Sequence, residues 1–177
     1  MTIVRTARLV LRKARSEDLD ALHAIMSDPE TMVYWSTPPH EDIDVTRRWL
    51  AEMIAMPADQ GDDYIVERDG RTIGKLGAWR WPEIGFLLAR DLWGQGYGRE
   101  ALSGFVAHAF ANGADHLTAD VDPDNTASLT LLKGVGFRET GRATRTWKVG
   151  DRWCDSVYLR LGRATPPSSV PPRETTS

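Results

Sequence analysis

One cysteine, Cys154, is present in 177 residues. No intramolecular disulfide can form, and this usage suits a reducing compartment. No apolar run approaches the roughly 20 residues of a membrane-spanning helix, and the first residues lack the apolar stretch of a secretory signal. The expected location is the cytoplasm. An excess of positive charge is missing too: 22 Lys and Arg stand against 25 Asp and Glu, a net charge of −3. With no basic patch interleaved with aromatics, neither a nucleic acid nor a membrane is an expected partner. His23, His40, His108 and His116 show no metal-ligand spacing, so no metal is expected. Arg5, Arg8, Arg12, Lys13 and Arg15 cluster near the N-terminus, but Arg8 and Arg12 alternate with Leu9 and Leu11, which reads as the solvent face of a strand. Ordinary apolar content over this length supports one domain, residues 1–163, with a Pro- and Ser-rich stretch at 164–177 read as a disordered tail.

The informative segment is Glu83–Ala101, EIGFLLARDLWGQGYGREA. A short apolar run reads as a strand, Gly94, Gly96 and Gly98 make a turn, and an uninterrupted helical pattern follows. Glycines let backbone N–H groups approach a phosphate, and a helix N-terminus adds about half a positive charge. No Gly-Lys-Ser/Thr follows, so this is not a Walker loop, and the glycine spacing is wrong for a dinucleotide fingerprint. A tight strand-to-helix turn with no ligand is the plain alternative.

Elsewhere, periodicity predicts a strand at Leu9–Ala14, a helix capped by Ser16 with Leu19, Leu22, Ala24, Ile25 and Met26 inward, and a second helix over Glu41–Met56. Ile43, Trp49, Leu50, Met53 and Ile54 would be its inward residues. Asp62–Glu67 and Thr72–Trp79 read as a hairpin around Asp69-Gly70. A strand at Leu117–Val121, a helix from Thr126 to Gly134, and two strands meeting at Gly150-Asp151 complete an α+β order with a mixed, mostly antiparallel sheet flanked by helices.

About 25 residues after the glycines comes a second pattern, Asn125, Ser128, Leu132-Lys133 and Gly136-Phe137. Together with R-D-x-W-G-x-G-Y-G-x-E-A, it resembles the GNAT acetyltransferases, and within them the RimJ/RimL-like group. Thr6–Arg12 and Asp28-Pro29-Glu30 fit the same group, and the likeness spans about residues 6–161. Trp93 stands where the superfamily more often has Gln or Arg, as is common in this group.

The resemblance implies a GNAT fold with splayed central strands and acetyl-CoA as acyl donor. The pyrophosphate would lie on backbone N–H groups of Gln95, Gly96, Tyr97, Gly98 and Arg99. Phe86, Leu87 and Leu88 would pair with the pantetheine arm as a strand would, with Asn125, Ser128 and Lys133 completing the cofactor site. Asn125 also reads as a helix N-cap, and the two roles are compatible. Ser128 would protonate the leaving thiolate, or be simply a polar first-turn residue. Glu83 is the candidate general base, with a solvated strand-start carboxylate as the plain reading. Ribosomal enzymes of the group can carry a glutamate where this chain has Trp147, which weakens the expectation of a ribosomal substrate. Tyr34, Trp35, Trp81 and Trp147 are the expected acceptor contacts. The amine is a protein N-terminus or a small molecule; a deep, aromatic, carboxylate-bearing pocket would favour the latter. A non-catalytic acyl-CoA binder, or an enzyme using a longer acyl-CoA, are the alternatives. A homodimer is expected only by likeness.

Overall fold

A computed structural model describes residues 3–163; the stretch read as a tail lies outside the described residues. In chain order the elements are β1 (Val4–Arg5), β2 (Val10–Arg12), α1 (Leu19–Met26), α2 (Pro29–Met32), α3 (Ile43–Ala55), β3 (Asp62–Arg68), β4 (Arg71–Arg80), β5 (Glu83–Leu88), α4 (Tyr97–Ala111), β6 (His116–Val121), α5 (Thr126–Val135), β7 (Arg138–Val149) and β8 (Arg152–Gly162). Local chemistry sets several boundaries. Asp69 (φ +49) and Gly70 (φ +78) make the left-handed pair that turns β3 into β4. Asp42 caps α3 by accepting the Asp44 N–H at 2.8 Å. Gly136 (φ +114) ends α5, donating to the carbonyls of Leu132 and Lys133.

The strands form one sheet in the order β1-β2-β3-β4-β5-β6-β8-β7. Neighbours are antiparallel except β5 and β6, which run parallel and meet at a single register pair, Glu83 with Thr118. From there the two strands diverge. On one face Tyr97, Ala101, Leu102 and Phe105 of α4 and Leu132 of α5 pack on Tyr64, Leu76, Ile84, Leu117 and Val157. On the other, α1 and α3 bring Leu22, Leu50 and Met53 onto Ile65, while Ile25, Met26 and Met32 meet Leu87. This is an α+β arrangement with a mixed sheet.

Several local expectations are corrected. Ser16 does not cap a helix: Ser16–Asp18 form a 3₁₀ turn, and Asp18 accepts the Arg15 N–H at 2.8 Å. The first long strand is only Val10–Arg12. Ala24 is exposed, and Ile54 is 48% exposed because the inward stripe of α3 is narrow. Arg12 is no solvent-face residue either. It is 8% exposed, donating to both oxygens of Asp18 (2.7 and 2.9 Å) and to Glu67 (2.6 Å). No helix among the described residues is long and apolar enough to cross a membrane.

Candidate active site

The divergence of β5 and β6 opens a cavity of about 1350 Å³, running from the Gly94–Arg99 turn to the loop after α2. At one end, Gly94 (φ +72) and Gly96 (φ +83) take left-handed backbone that L side chains resist. α4 begins with no side-chain cap, and Glu100 N–H to Gly96 O (3.1 Å) is its first internal bond. The N–H groups of Tyr97, Gly98 and Arg99 thus have no helical acceptor and converge where the helix dipole favours an anion. A Cβ on Gly98 would lie 3.4 Å from Leu88 and 3.5 Å from Leu131. Its absence keeps the passage from the turn to β5 open.

Arg8 braces this turn from outside. Its Nε donates to Glu100 at 2.6 Å and a terminal nitrogen to the Gln95 carbonyl at 3.2 Å, while the guanidinium lies 4.3 Å from the centre of the Tyr97 ring. Gln95 and Lys133 stand outside the cavity wall. The Gln95 amide is held by Asp91 O (2.9 Å), and Lys133 lies 3.7 Å from Glu139.

Along β5 the open edge alternates. Ala89 N–H donates to Ile73 O at 2.8 Å. In an antiparallel ladder the bonded residues then recur every second position, so Leu87 and Gly85 turn their backbone groups to β4. Phe86 and Leu88 point theirs into the gap toward β6. Leu88 O accepts from Trp93 Nε1 at 2.9 Å. Across the gap Asn125 spends its side-chain oxygen on the Ser128 N–H (3.1 Å), capping α5, and leaves its amide nitrogen free for the cavity. Ser128 also lines the cavity, and its hydroxyl has no partner among the described residues.

The geometry has relatives. Residues 8–138 match the Acetyltransferase (GNAT) domain family. The uncharacterized N-acetyltransferase p20 of Bacillus licheniformis is 32% identical over 170 residues, covering 90% of this chain and 94% of that protein. The phosphinothricin N-acetyltransferase of Alcaligenes faecalis is 30% identical over 161 residues, covering 85% and 80%. Among solved structures, RimL, a ribosomal L7/L12 α-N-protein acetyltransferase in complex with coenzyme A, superposes with a TM-score of 0.79 at 19% identity, covering 91% of this chain and 98% of that one. This chain belongs to the GNAT acetyltransferase family. It is an N-acetyltransferase with the GNAT fold.

In this acetyltransferase the far end of the cavity is walled by Tyr34, Trp35, Trp49, Trp79 and Trp147. The Tyr34–Thr37 loop is pinned from β8, where Arg152 donates to Val33 O at 2.9 Å. Trp81, expected as an acceptor contact, is elsewhere. It packs on the α4 face, stacked on Phe105 with ring centres 6.4 Å apart and planes 20° apart. It lies there because it is in the turn after β4, past the register irregularity between Ala78 and Arg80 that breaks the strand alternation. His40 is also withdrawn: it is 4% exposed, meets Thr46 at 2.9 Å, and burial holds its pKa below the ordinary value. Burial pushes the Cys154 thiol up, which keeps it protonated and unreactive.

Of the carboxylates that line the cavity, Glu83 and Asp120 flank the divergence of β5 and β6. Glu83 lies at the closed end of the divergence and accepts from Trp79 Nε1 at 3.3 Å. Asp120, on β6 two residues beyond the last contact with β5, went unnoticed in the sequence, where it reads as one polar residue in an alternating strand. It lines the cavity on its exposed side. The surrounding walls push its carboxyl above the ordinary carboxylate range, and the Ser156 hydroxyl offsets part of that. The signal that could have found it is the alternation of Leu117, Ala119 and Val121, which turns Thr118 and Asp120 to the face shared by Glu83 and Leu87.

Proposed function

We propose that this acetyltransferase moves the acetyl group of acetyl-CoA to the primary amine of a small molecule by direct attack within a ternary complex. The observation that carries the reading is the open edge of β5. Phe86 has unspent backbone groups there and Leu88 an unspent N–H, its carbonyl being met by Trp93, in line with the N–H groups of Tyr97, Gly98 and Arg99. Acetyl-CoA supplies the activated thioester. Tyr97, Gly98 and Arg99 would hold its pyrophosphate, Phe86, Leu88 and Asn125 its arm, and a backbone N–H of β5 the negative charge that develops on the carbonyl oxygen.

An ammonium has no lone pair, so the acceptor must first lose a proton. Asp120 is the better base, since a carboxylate disfavoured as an anion takes a proton more readily than an ordinary one. Glu83, half-exposed beside Trp79, is suited to receive or relay that proton. The free hydroxyl of Ser128 is suited to protonate the departing thiolate. The volume of the cavity, with five tryptophans and six carboxylates in its wall, supports a small acceptor over a protein N-terminus.

The test is thiol release from acetyl-CoA against pools of amino acids, simple amines, aminoglycosides and short peptides, with the acetylated product identified by mass. Release with a small-molecule pool is the expected result. Release only with peptides would reassign the acceptor. Silence in every pool, with acetyl-CoA still raising the melting temperature, would leave a non-catalytic binder.

A further inference from the structure

Among the described residues Lys75 and Arg99 are the cations in the cavity wall; Arg99 belongs to the glycine turn, and nothing in the transfer chemistry uses Lys75. Its side chain is 2% exposed and lies 2.7 Å from Asp63, itself 4% exposed. Both line the cavity. A buried ion pair of this kind roughly breaks even in stability against apolar side chains of similar volume, so stability alone gives no reason for it. The two partners are unequally satisfied. Asp63 accepts from Lys75 on one oxygen and from the Tyr64 N–H (3.2 Å) on the other. Lys75 carries three donors, and Asp63 is its only hydrogen-bonding partner among the described residues; the Trp35 ring, 5.5 Å away, supplies a π-face but no acceptor. A dry cation with donors to spare beside a cavity is an anion site.

Its position gives the anion a role. Lys75 pairs with Leu87, so its side chain shares the face of Leu87, Gly85 and Glu83. Asp120 lies on the same face across the divergence, level with Gly85 by the Glu83–Thr118 register. Two strand spacings of roughly 5 Å and a two-residue step of roughly 7 Å separate the two backbones, before the splay widens them. Both side chains reach inward from there, a cation from one side and carboxylates from the other. Between them Gly85 leaves a slot: a Cβ there would meet Trp35 at 3.8 Å and Trp79 at 4.0 Å. Resting on the transfer reading above, we infer that Lys75 binds a carboxylate of the acceptor, which is therefore an amino acid presenting its amine toward Asp120 and its apolar side chain to the Trp35–Trp79 slot.

Matched triplets test this: L-phenylalanine, its amide and 2-phenylethylamine, then L-leucine, its amide and 3-methylbutylamine, each assayed for thiol release with acetyl-CoA. The free acids are expected to exceed both partners by about tenfold or more in kcat/KM, the scale of one hydrogen bond to a charged group. In Lys75→Gln, and in the neutral pair Lys75→Gln with Asp63→Asn, which orphans no buried charge, the ratio should collapse toward one. Equal rates for acid and simple amine in the parent protein would overturn the carboxylate site and leave acetyl transfer standing. Equal rates for acid and amide would show a carbonyl reader without charge recognition, which also overturns it, as would a ratio that survives in the variants. No release with any member, from a protein that does release thiol with another small-amine pool, would overturn the amino-acid assignment and leave acetyl transfer standing; silence in those pools as well would remove the transfer reading itself. The parent ratios decide the matter even where a variant fails to fold.

Discussion

Among single residues, Asp120 and Glu83 compete for one role, and their surroundings separate them. The cavity walls raise the Asp120 carboxyl, so its anion is the costlier state. In Asp120→Asn, kcat is expected to fall about 10²-fold or more, the usual scale of a lost general base. The rising limb of the pH–rate profile should disappear with it. Glu83→Gln should lose less and keep that limb. Stability gives an independent sign. A carboxyl whose folded value lies above its unfolded one makes the folded state bind the extra proton. Stability is therefore lost as pH rises from the ordinary value of about 4 through the raised one. Asp120→Asn should accordingly melt at or above the parent temperature at pH 7.5, with the gap closing below about pH 4. A variant that is slower and also less stable at pH 7.5 would mark Asp120 as structural.

At the level of elements, the hairpin at Asp69-Gly70, the glycine turn into α4 and the Asn125 cap of α5 were legible because each is short-range chemistry: a positive φ, a missing Cβ, a side-chain acceptor. What escaped depends on partners distant in sequence. Arg12 alternates as a solvent-face residue should, yet Asp18, Glu67 and Thr72 converge on it from three other segments. Trp79 and Trp81 have the same strand parity and would share a face in a regular strand. The irregularity in the β4–β5 register between Ala78 and Arg80, with Trp81 already in the turn after β4, sends them to opposite faces. Leu87 shows the same limit, since no pattern in β5 says which residues bond to β4 and which to the gap. The brace on the glycine turn was equally hidden, because Arg8 and Glu100 lie 92 residues apart. Arg8→Ala removes the tie from β2's approach to the Gln95 carbonyl while leaving every cradle N–H in place. KM for acetyl-CoA is expected to rise severalfold with kcat and melting temperature little changed. Loss of kcat at saturating acetyl-CoA would show that the brace reaches beyond the cofactor end.

For the molecule as a whole, the sheet is two antiparallel blocks, β1–β5 and β6–β8, joined at one parallel register pair and covered on one face by α4 and α5. The N-terminal block is tied to α1 by the Arg12–Asp18 pair. Burial pushes the Asp18 carboxyl up, but hydrogen bonds from Arg12, Thr72 and the Arg15 N–H outweigh it and hold it below the ordinary value. That contribution is present above about pH 4 and is lost as pH falls through the depressed value. Asp18→Asn should cost about 3 kcal/mol at pH 7 by leaving Arg12 short of a partner, and less at pH 3, as read by denaturant unfolding at the two pH values. The junction between the blocks behaves differently, because a ligand lying along β5 would bridge what the chain leaves apart. Anything that binds only the folded state stabilises it, by about 2.7 kcal/mol at a hundredfold excess over Kd, and here the gain should be local as well as global. The Phe86 and Leu88 amides, facing the gap, should exchange hydrogen quickly in the free protein and slow when acetyl-CoA is added. Leu87, already bonded to β4, should be slow in both states. Protection that appears instead at Leu87, or uniformly along β5, would mean that the cofactor does not pair with this edge.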